Sequence, residues 1–394
     1  MEKKLGLYVH IPFCEHKCDY CDFYSVTGFN DYVRYTDALL LQMEDFSEKA
    51  SDYVVDTIYI GGGTPTALPV KRVLEIIDGL YRNFNVAENV EFTMEANPAT
   101  VNKKMLKKYF KAGVNRLSFG MQSAIDEELG ALSRIHSFDE FVESYNMARE
   151  AGFENINVDI MYGIPGQTQR SLGYTLEQVC DLEPKHISLY GLKIEEGTPF
   201  FEKKDKLELP DEDTEFEMYK YAVEYLGFRG YWQYEISNFA ADGYKCRHNL
   251  KYWNCREYLG LGPAAHSYFG GRRFSYKRSV PMFMDALEYV DAGIDILEED
   301  YTIAPEERVD EYIMLRLRLT EGLNANDFKD SFDKDFSRMF AKELEMYIDN
   351  GFMEFKNGHY YFTVKGMYVS NYILSTFMTY ESDMAKNIAK GLDK

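Results

Sequence analysis

Short apolar runs alternate with longer amphipathic segments along the first half of the chain. The β-rich runs lie at residues 7–11, 57–60, 91–95, 116–120, 156–160 and 186–192. Between them, residues 31–46, 70–81 and 138–151 repeat apolar side chains three and four positions apart, which is typical of amphipathic helices. Strand and helix units in series predict an α/β fold, a partial (β/α)6 TIM-like barrel with its helices outside.

The pattern changes after about residue 210. Longer helices are predicted at residues 215–226, 281–291, 305–319 and 337–349. Residues 352–355 and 359–362 then flank Asn357-Gly358, a strong signal for a β-hairpin, and a helix should begin near residue 365. We therefore predict a part-barrel over residues 1–210, a connecting region over 211–300, and a mostly helical C-terminal domain with a winged-helix-like hairpin over 301–394.

Composition narrows the classes of partner. The 394 residues and 45% apolar content suit two domains. Acidic residues outnumber basic ones, 65 against 44, and the net charge of -21 repels phosphate backbones, so we expect no nucleic-acid partner. The candidate basic cluster of Arg272, Arg273, Lys277 and Arg278 is interpreted as a solvated loop. With no apolar run near the ~20 residues of a membrane span and no secretory signal, we expect a cytoplasmic protein.

Three cysteines, Cys14, Cys18 and Cys21, follow the first predicted strand. Three thiolates can hold a four-iron cluster and leave the fourth iron open to an exchangeable ligand. A structural zinc site is the alternative, with His10 or His16 as the fourth ligand. A disulfide is a weaker alternative in a chain without a secretory signal. The remaining cysteines are Cys180, Cys246 and Cys255.

Polar residues also follow the carboxyl ends of the next strands, where parallel α/β barrels build active sites. They are Gly61, Gly62, Gly63 and Thr64 after the second strand, Glu95 in the third, Gln122 after the fourth and Asp159 in the fifth. Singly, each has a structural explanation, such as a turn or a cap. Together, glycines admit close approach of a ligand, Glu95 and Asp159 suit ribose hydroxyls, and Arg134 suits a carboxylate. S-adenosylmethionine (SAM) carries those groups.

The same blocks resemble radical SAM proteins of the oxygen-independent coproporphyrinogen oxidase family. The matching residues are 8–21, 60–66, 95–98, 115–123, 157–168 and 187–200. The resemblance implies that Cys14, Cys18 and Cys21 hold a [4Fe-4S] cluster whose unique iron is chelated by SAM. It implies SAM contacts from Tyr8, Gly62, Gly63, Thr64, Glu95, Gln122, Arg134 and Asp159. An electron donor is a further implied partner if SAM is cleaved.

Two features depart from the decarboxylating oxidases of that family. Phe23 stands where they carry a further cysteine, and the segment ahead of the first strand is shorter. In the second half, His248-Asn249 followed by Tyr252-Trp253 resembles the motif of HemW-type heme chaperones. This resemblance implies a heme site with His248 as candidate axial ligand, flanked by Tyr252 and Trp253. The structural alternative is that His248 caps a loop and the two aromatic residues anchor the second domain.

These resemblances predict a heme chaperone that binds heme and transfers it to an acceptor haemoprotein. It would carry a SAM-ligated [4Fe-4S] cluster and lack coproporphyrinogen oxidase activity. The alternative is an enzyme, an oxygen-independent coproporphyrinogen III dehydrogenase.

Overall fold

The computed structural model describes residues 2–98, 100–289 and 293–378. The first half of the chain alternates strands and helices, as predicted. Its elements are β1 (Lys3–Ile11), α1 (Tyr32–Ser47), β2 (Tyr53–Gly62), α2 (Val70–Asn83), β3 (Val86–Ala96), α3 (Lys103–Lys111), β4 (Arg116–Gln122), α4 (Asp126–Ala131), α5 (Phe138–Ala151), β5 (Asn155–Tyr162), α6 (Gln169–Asp181) and β6 (His186–Gly191). All six predicted strands and all three predicted helices are present.

The strands β1 to β6 pair in chain order, each parallel to the next. Helix boundaries follow the local sequence. Ser137 and Glu140 form a capping box at the start of α5, and Gly152 ends that helix in the left-handed region with φ 111°. A parallel sheet with helical crossovers confirms the predicted α/β part-barrel.

The two faces of this sheet differ in character because successive side chains of a strand point to opposite faces. On β3, Phe92 and Met94 lie on the outer face, fully buried in one core with the apolar sides of α1 and α2. Glu91, Thr93 and Glu95 alternate with them and lie on the inner face. The outer face therefore supplies the hydrophobic core, and the inner face is free to carry polar chemistry.

Residues 211–300 contribute more strand than the sequence suggested. Besides α7 (Pro199–Glu202), which precedes them, the elements are α8 (Glu212–Phe228), β7 (Trp232–Gln233), β8 (Asn238–Ala240), α9 (Arg247–Trp253), β9 (Tyr258–Leu261), β10 (His266–Phe269), β11 (Arg272–Tyr276), α10 (Val280–Glu288) and β12 (Leu297–Thr302). The sequence pattern predicted helices in this region but none of its strands. Strands of two to six residues carry little periodicity. Of these, β9 and β8 pair with the barrel strands β1 and β6, and the others pair with these or with one another.

These short strands extend the sheet at both ends. The order is β12-β11-β10-β9-β1-β2-β3-β4-β5-β6-β8-β7, with β9 parallel to β1 and β8 antiparallel to β6. Among the described strands, the two ends of this order do not pair with each other, so the sheet is an open part-barrel. The four cations of the predicted basic cluster lie on or after β11, and each forms an ion pair with a carboxylate.

The C-terminal part consists of short helices around a small sheet. Its elements are α11 (Pro305–Leu317), β13 (Leu323–Asn324), α12 (Ala325–Phe332), α13 (Phe336–Met339), α14 (Ala341–Asp349), β14 (Met353–Lys356), β15 (His359–Phe362), α15 (Val364–Tyr368) and α16 (Ser370–Thr376). The hairpin β14-β15 is confirmed, with Asn357 and Gly358 both at positive φ in its turn. The winged-helix likeness and the three-part division stay predictions.

Three helix predictions need correction. The helix predicted over residues 337–349 is two helices, α13 and α14, separated at Phe340, whose φ of -122° and ψ of 32° are not helical. Residues 290 and 291 of another predicted helix lie outside the described residues, and α10 ends at Glu288. The helix predicted from residue 365 is α15 followed by α16. No helix in the described ranges is long and apolar enough to cross a membrane.

Candidate functional site

The three cysteines lie in the loop between β1 and α1, at the carboxyl end of the first strand. Within the loop, Cys14 N–H donates to the carbonyl of Val26 over 3.0 Å, and Thr64 N–H, just after β2, donates to the carbonyl of Phe13 over 2.7 Å. The Thr64 hydroxyl lies 3.6 Å from Cys14 Sγ. All six cysteines are free thiols, and these three are partly exposed. Within the described ranges, no three Cys, His, Asp or Glu side chains are arranged to hold a single metal ion.

Arg134 joins the cysteine loop to the ends of two strands. Its Nη1 donates to Cys18 Sγ over 3.5 Å, and its Nη2 donates to Asn97 Oδ1 over 3.0 Å and to the Gly120 carbonyl over 2.6 Å. Its Nε is buried and has no hydrogen-bond partner. A guanidinium with an unused N–H donor beside a thiol suits an anionic ligand group at the cysteine loop.

The glycine segment at the end of β2 brings the backbone close to both neighbours. A Cβ on Gly61 would lie 2.8 Å from the Glu95 carboxylate, and one on Gly63 would lie 2.7 Å from the Phe13 carbonyl. Gly62 has φ 113°, and a Cβ there would lie 2.6 Å from the His10 ring. Any larger residue would push this segment away from the cysteine loop, so glycine is required for the close approach.

Glu95 accepts two hydrogen bonds beside this segment. Tyr59 Oη donates to Oε1 over 2.9 Å, and the Gly62 N–H donates to Oε2 over 3.0 Å. Burial raises the pKa of Glu95 to about 7, with the nearby Asp159 charge adding to the effect. Carboxylate oxygens that already accept from Tyr59 and Gly62 have lone pairs left for a hydroxyl donor.

Asp159 lies on the same inner face, two strands away. Asn157 Nδ2 donates to its Oδ1 over 2.7 Å, and Ser118 Oγ donates to its Oδ2 over 3.4 Å. Burial raises the pKa of Asp159. Gln122 adopts a φ of 74° at the end of β4, and a Cβ on Gly120 would meet Gln122 Nε2 at 3.0 Å and Arg134 Nη2 at 3.4 Å. Gln122 and Arg134 are therefore neighbours.

The structure brings the predicted contacts for cluster and cofactor to one edge of the sheet. Tyr8 belongs to this group as well: its Oη bonds His10 Nδ1 over 2.9 Å, and its ring lies 6.2 Å from that of Tyr59. Three thiols, a cradle that side chains would fill, and an unpartnered guanidinium N–H fit a [4Fe-4S] cluster and a ligand with the groups of SAM. Sequence reasoning missed Tyr59, although it alternates with Ile58 and Ile60 on the same strand.

The predicted heme motif lies deeper in the part-barrel, on helix α9. Both ring nitrogens of His248 are engaged: Nδ1 with Thr57 Oγ1 over 2.9 Å and Nε2 with Tyr252 Oη over 2.8 Å. Its side chain is 1% exposed, and burial lowers its pKa to about 3, so the ring is neutral near pH 7. In this arrangement neither nitrogen is free to bind iron, and the role of His248 as axial ligand stays a prediction.

Glu91 holds the start of α9 in place. Its Oε1 accepts from the His248 N–H and its Oε2 from the Arg247 N–H, each over 2.9 Å. Cys246 Sγ lies 3.6 Å from the same carboxylate, and Arg116 interacts with it electrostatically. Sequence reasoning missed Glu91 because its partners lie about 155 residues away, but its place on the polar face of β3 was visible.

Trp253 lies at the other end of α9, away from these contacts. Its indole Nε1 is buried without a hydrogen-bond partner, and the Arg318 guanidinium lies 5.9 Å from its ring centre. Tyr252 instead packs edge-on against Tyr258, with the ring centres 4.6 Å apart. The structure therefore separates the predicted heme contacts into an enclosed pair, His248 and Tyr252, and one residue with an unused donor.

Comparisons with known proteins identify the family of this chain. Residues 8–179 match the Radical SAM superfamily, and residues 303–369 match the HemN C-terminal domain. Heme chaperone HemW of Bacillus subtilis is 35% identical, covering 94% of this chain and 98% of its own. Heme chaperone HemW of Escherichia coli is 33% identical, covering 95% and 98%.

A solved structure extends the likeness to the fold. The coproporphyrinogen III oxidase HemN from Escherichia coli, a radical SAM enzyme, superposes with a TM-score of 0.83 over 96% of this chain and 91% of its own. Its sequence identity is 23%, so it supports the fold alone. The similarity in sequence runs through the barrel, α9 and the C-terminal part, and the chain belongs to the HemW family of radical SAM proteins.

Proposed function

We propose that this chain binds heme and transfers it to an acceptor haemoprotein. The observation that carries the proposal is the match to proteins named heme chaperone HemW over 98% of their length. That match extends in sequence beyond the six barrel strands, to the segment that carries helix α9 and the predicted heme motif. Phe23, which is 70% exposed, also stands where the oxidases were expected to carry a further cysteine. We also propose that the protein acts in the cytoplasm.

We also propose that Cys14, Cys18 and Cys21 hold a [4Fe-4S] cluster and that SAM binds beside it. The SAM contacts are Tyr8, Gly62, Gly63, Thr64, Glu95, Gln122, Arg134 and Asp159. The cluster and SAM supply radical chemistry when the cluster is reduced, which requires an electron donor. Arg134 would orient the SAM carboxylate with its free Nε, and Glu95 and Asp159 would accept from hydroxyl groups.

For heme, we propose that Trp253 is the member of the predicted motif that contacts the ligand. Its indole N–H is unpartnered, whereas the nitrogens of His248 are both engaged within the protein. Axial ligation by His248 would require one ring nitrogen to give up its hydrogen bond in a buried site, which costs free energy. The side chains of His248 and Tyr252 would then serve to fix α9 on the sheet.

The proposal is tested with the full chain after anaerobic reconstitution of its cluster. Heme is titrated and followed by its absorption spectrum, and coproporphyrinogen III is supplied with SAM and a reductant in a parallel assay. We expect saturable heme binding, transfer of that heme to an apo-haemoprotein, and no release of carbon dioxide. Decarboxylation at enzymatic rates, or failure to bind heme, would overturn the chaperone proposal.

The cluster proposal has its own test. Replacing Cys18 by Ser should abolish the visible absorption of the reconstituted cluster, because two thiolates and a hydroxyl do not hold it. Replacing Cys255 by Ser is the matched control, since Cys255 is a partly buried free thiol outside the loop. Loss of absorption in both variants, or in neither, would contradict the assignment.

A further inference from the structure

Three segments meet at the far end of α9, at a place that we name the Arg318 junction. It comprises Trp253 from the end of α9, Glu235 and Asn238 from the segment that runs from β7 into β8, and Arg318 from the end of α11. The backbone there is well fixed: Glu235 forms an antiparallel bridge with Leu319 next to Arg318. Arg318 Nη2 also donates to Asn371 Oδ1 over 2.9 Å. The junction therefore joins the part-barrel to the C-terminal helices.

The Arg318 junction contains four buried polar atoms with no hydrogen-bond partner. They are Trp253 Nε1, Arg318 Nε, Glu235 Oε1 and Asn238 Oδ1. Glu235 is 1% exposed and Asn238 is 4% exposed. A buried polar atom left unpaired is unfavourable, and several in one place indicate a site that a further molecule completes. Two of the four are N–H donors on flat side chains.

The junction lies next to the candidate SAM site. Asn238 of the junction is the register partner of Ser188 on β6, which is the register partner of Asp159 on β5. Tyr190, near the end of β6, interacts electrostatically with both Asp159 and Glu235. The Tyr190 side chain is 41% exposed, so this border between the two sites is open to a ligand. A large flat ligand could therefore reach the junction while it lies beside the cofactor.

The charges in the junction suit an anion. Arg318 is a permanent cation, and its guanidinium presents N–H donors in a fork that matches a carboxylate. Burial raises the pKa of Glu235 to about 7, so this carboxyl opposes an anion less at lower pH, where it is protonated. A ligand without acceptor oxygens would leave both Arg318 Nε and Trp253 Nε1 unpaired.

We propose that the Arg318 junction binds a carboxylate of the tetrapyrrole, one of its propionate side chains, through Arg318 and Trp253. This inference rests on the proposed binding of heme and names the part of heme that the chain recognises. The propionate accepts from the Arg318 guanidinium and from the indole N–H, and so pairs two of the unpartnered atoms. The ring then extends toward Tyr190 and the cofactor site.

The experiment compares heme with heme dimethyl ester, which has the same ring and iron but no free carboxylate. Both are titrated into the reconstituted full chain in the same detergent-containing buffer. We expect the wild-type chain to bind the ester at least about tenfold more weakly, because charge-assisted hydrogen bonds are lost. In Arg318→Gln, heme affinity should fall to near that of the ester, and the difference between the two ligands should disappear.

Three further variants separate a lost ligand contact from a folding defect. Arg318→Lys keeps the charge but not the fork, and should retain part of the preference for heme over the ester. Arg316→Gln is the matched control on the same helix. Its guanidinium binds Glu321 and Asn254, so it should leave the ratio of heme to ester affinity unchanged. Glu235→Gln should raise that ratio, because it removes the only carboxylate of the junction.

The outcomes separate this inference from the proposed function. Binding of neither ligand by the wild-type chain would overturn the heme proposal and this inference with it. Equal binding of heme and ester by the wild type would overturn the propionate site alone. A lower heme affinity in Arg318→Gln with the wild-type preference retained would show that Arg318 stabilises the fold and does not meet the ligand.

Discussion

The two ends of helix α9 come from one short motif, but they differ in whether their polar atoms have hydrogen-bond partners. At the first end, Glu91, Thr57 and Tyr252 satisfy the backbone N–H and both ring nitrogens of His248. At the other end, the indole N–H of Trp253 is buried and unpaired beside an arginine whose Nε is also unpaired. The first end, whose polar atoms are all hydrogen-bonded, is called the saturated end, and it holds the helix in place. The other end is called the unsaturated end, and there a ligand can supply the missing hydrogen bonds.

The largest effect on stability is expected from removing the Glu91 carboxylate, which holds the saturated end of α9. Glu91→Ala should lower the free energy of unfolding by about 3–5 kcal/mol, because it leaves two backbone N–H groups unpaired and removes a carboxylate that interacts electrostatically with the buried Arg116. Glu91→Gln should cost less, because the amide oxygen still accepts. Urea denaturation measures both. Glu88→Ala, exposed on the same strand, is the control, and a loss below ~1 kcal/mol in Glu91→Ala would contradict the comparison.

A smaller loss of stability is expected when His248 is replaced. His248→Ala should lower the free energy of unfolding by about 2–3 kcal/mol, because a cavity forms and two buried hydrogen bonds are lost. The absorption spectrum of bound heme should stay unchanged. His186→Ala is the matched variant, since His186 is also buried with both ring nitrogens bonded, to Asn157 and Tyr234. Loss of the heme spectrum in His248→Ala alone would identify His248 as an axial ligand.

The contrast along α9 could not be read from the sequence, although much of the fold could. Alternation on β3 separates Phe92 and Met94 from Glu91 and Glu95, and similar patterns predicted the six parallel strands. The strands that extend the sheet are too short to show a period. Strand β9 has four residues and forms by pairing with β1, about 250 positions earlier.

The candidate site was predictable for a related reason. Its residues sit at the carboxyl ends of consecutive strands, so local sequence places them on one edge of the sheet. The partners of His248 and Arg134 were not predictable, because those contacts join residues far apart in the chain. Thr57 lies 191 positions from His248, and Cys18 lies 116 positions from Arg134. A motif identified His248 as chemically interesting, but only its neighbours show that its nitrogens are already used.

The unsaturated end predicts a dependence of stability on pH. The folded-state pKa of Glu235, about 7, lies above its ordinary value of 4.5, so the folded chain holds a proton that the unfolded chain releases between these values. Stability is therefore full below about pH 4.5 and falls as the pH rises toward 7. Glu235→Gln removes this loss, and should raise the free energy of unfolding by on the order of 2 kcal/mol at pH 8 but by little at pH 4.5.

Urea denaturation of the wild-type chain and the variant at both pH values measures this difference. Glu224→Gln, on the exposed side of α8, is the control and should change stability little at either pH. A variant that is less stable than the wild type at pH 8 would show that ionised Glu235 stabilises the folded chain, and that the junction is saturated like the first end of α9.

The smallest effect is expected for Trp253, and it tests the comparison most directly. Trp253→Phe keeps an aromatic ring but removes the unpaired N–H, so the free energy of unfolding should change by less than ~1 kcal/mol. Heme affinity should fall about fivefold, equivalent to ~1 kcal/mol for one neutral hydrogen bond. Tyr252→Phe should do the reverse: it removes the partner of His248 Nε2, so stability falls while heme affinity is kept. If both variants lose stability and neither loses heme affinity, both ends of α9 serve the fold, and heme binds elsewhere.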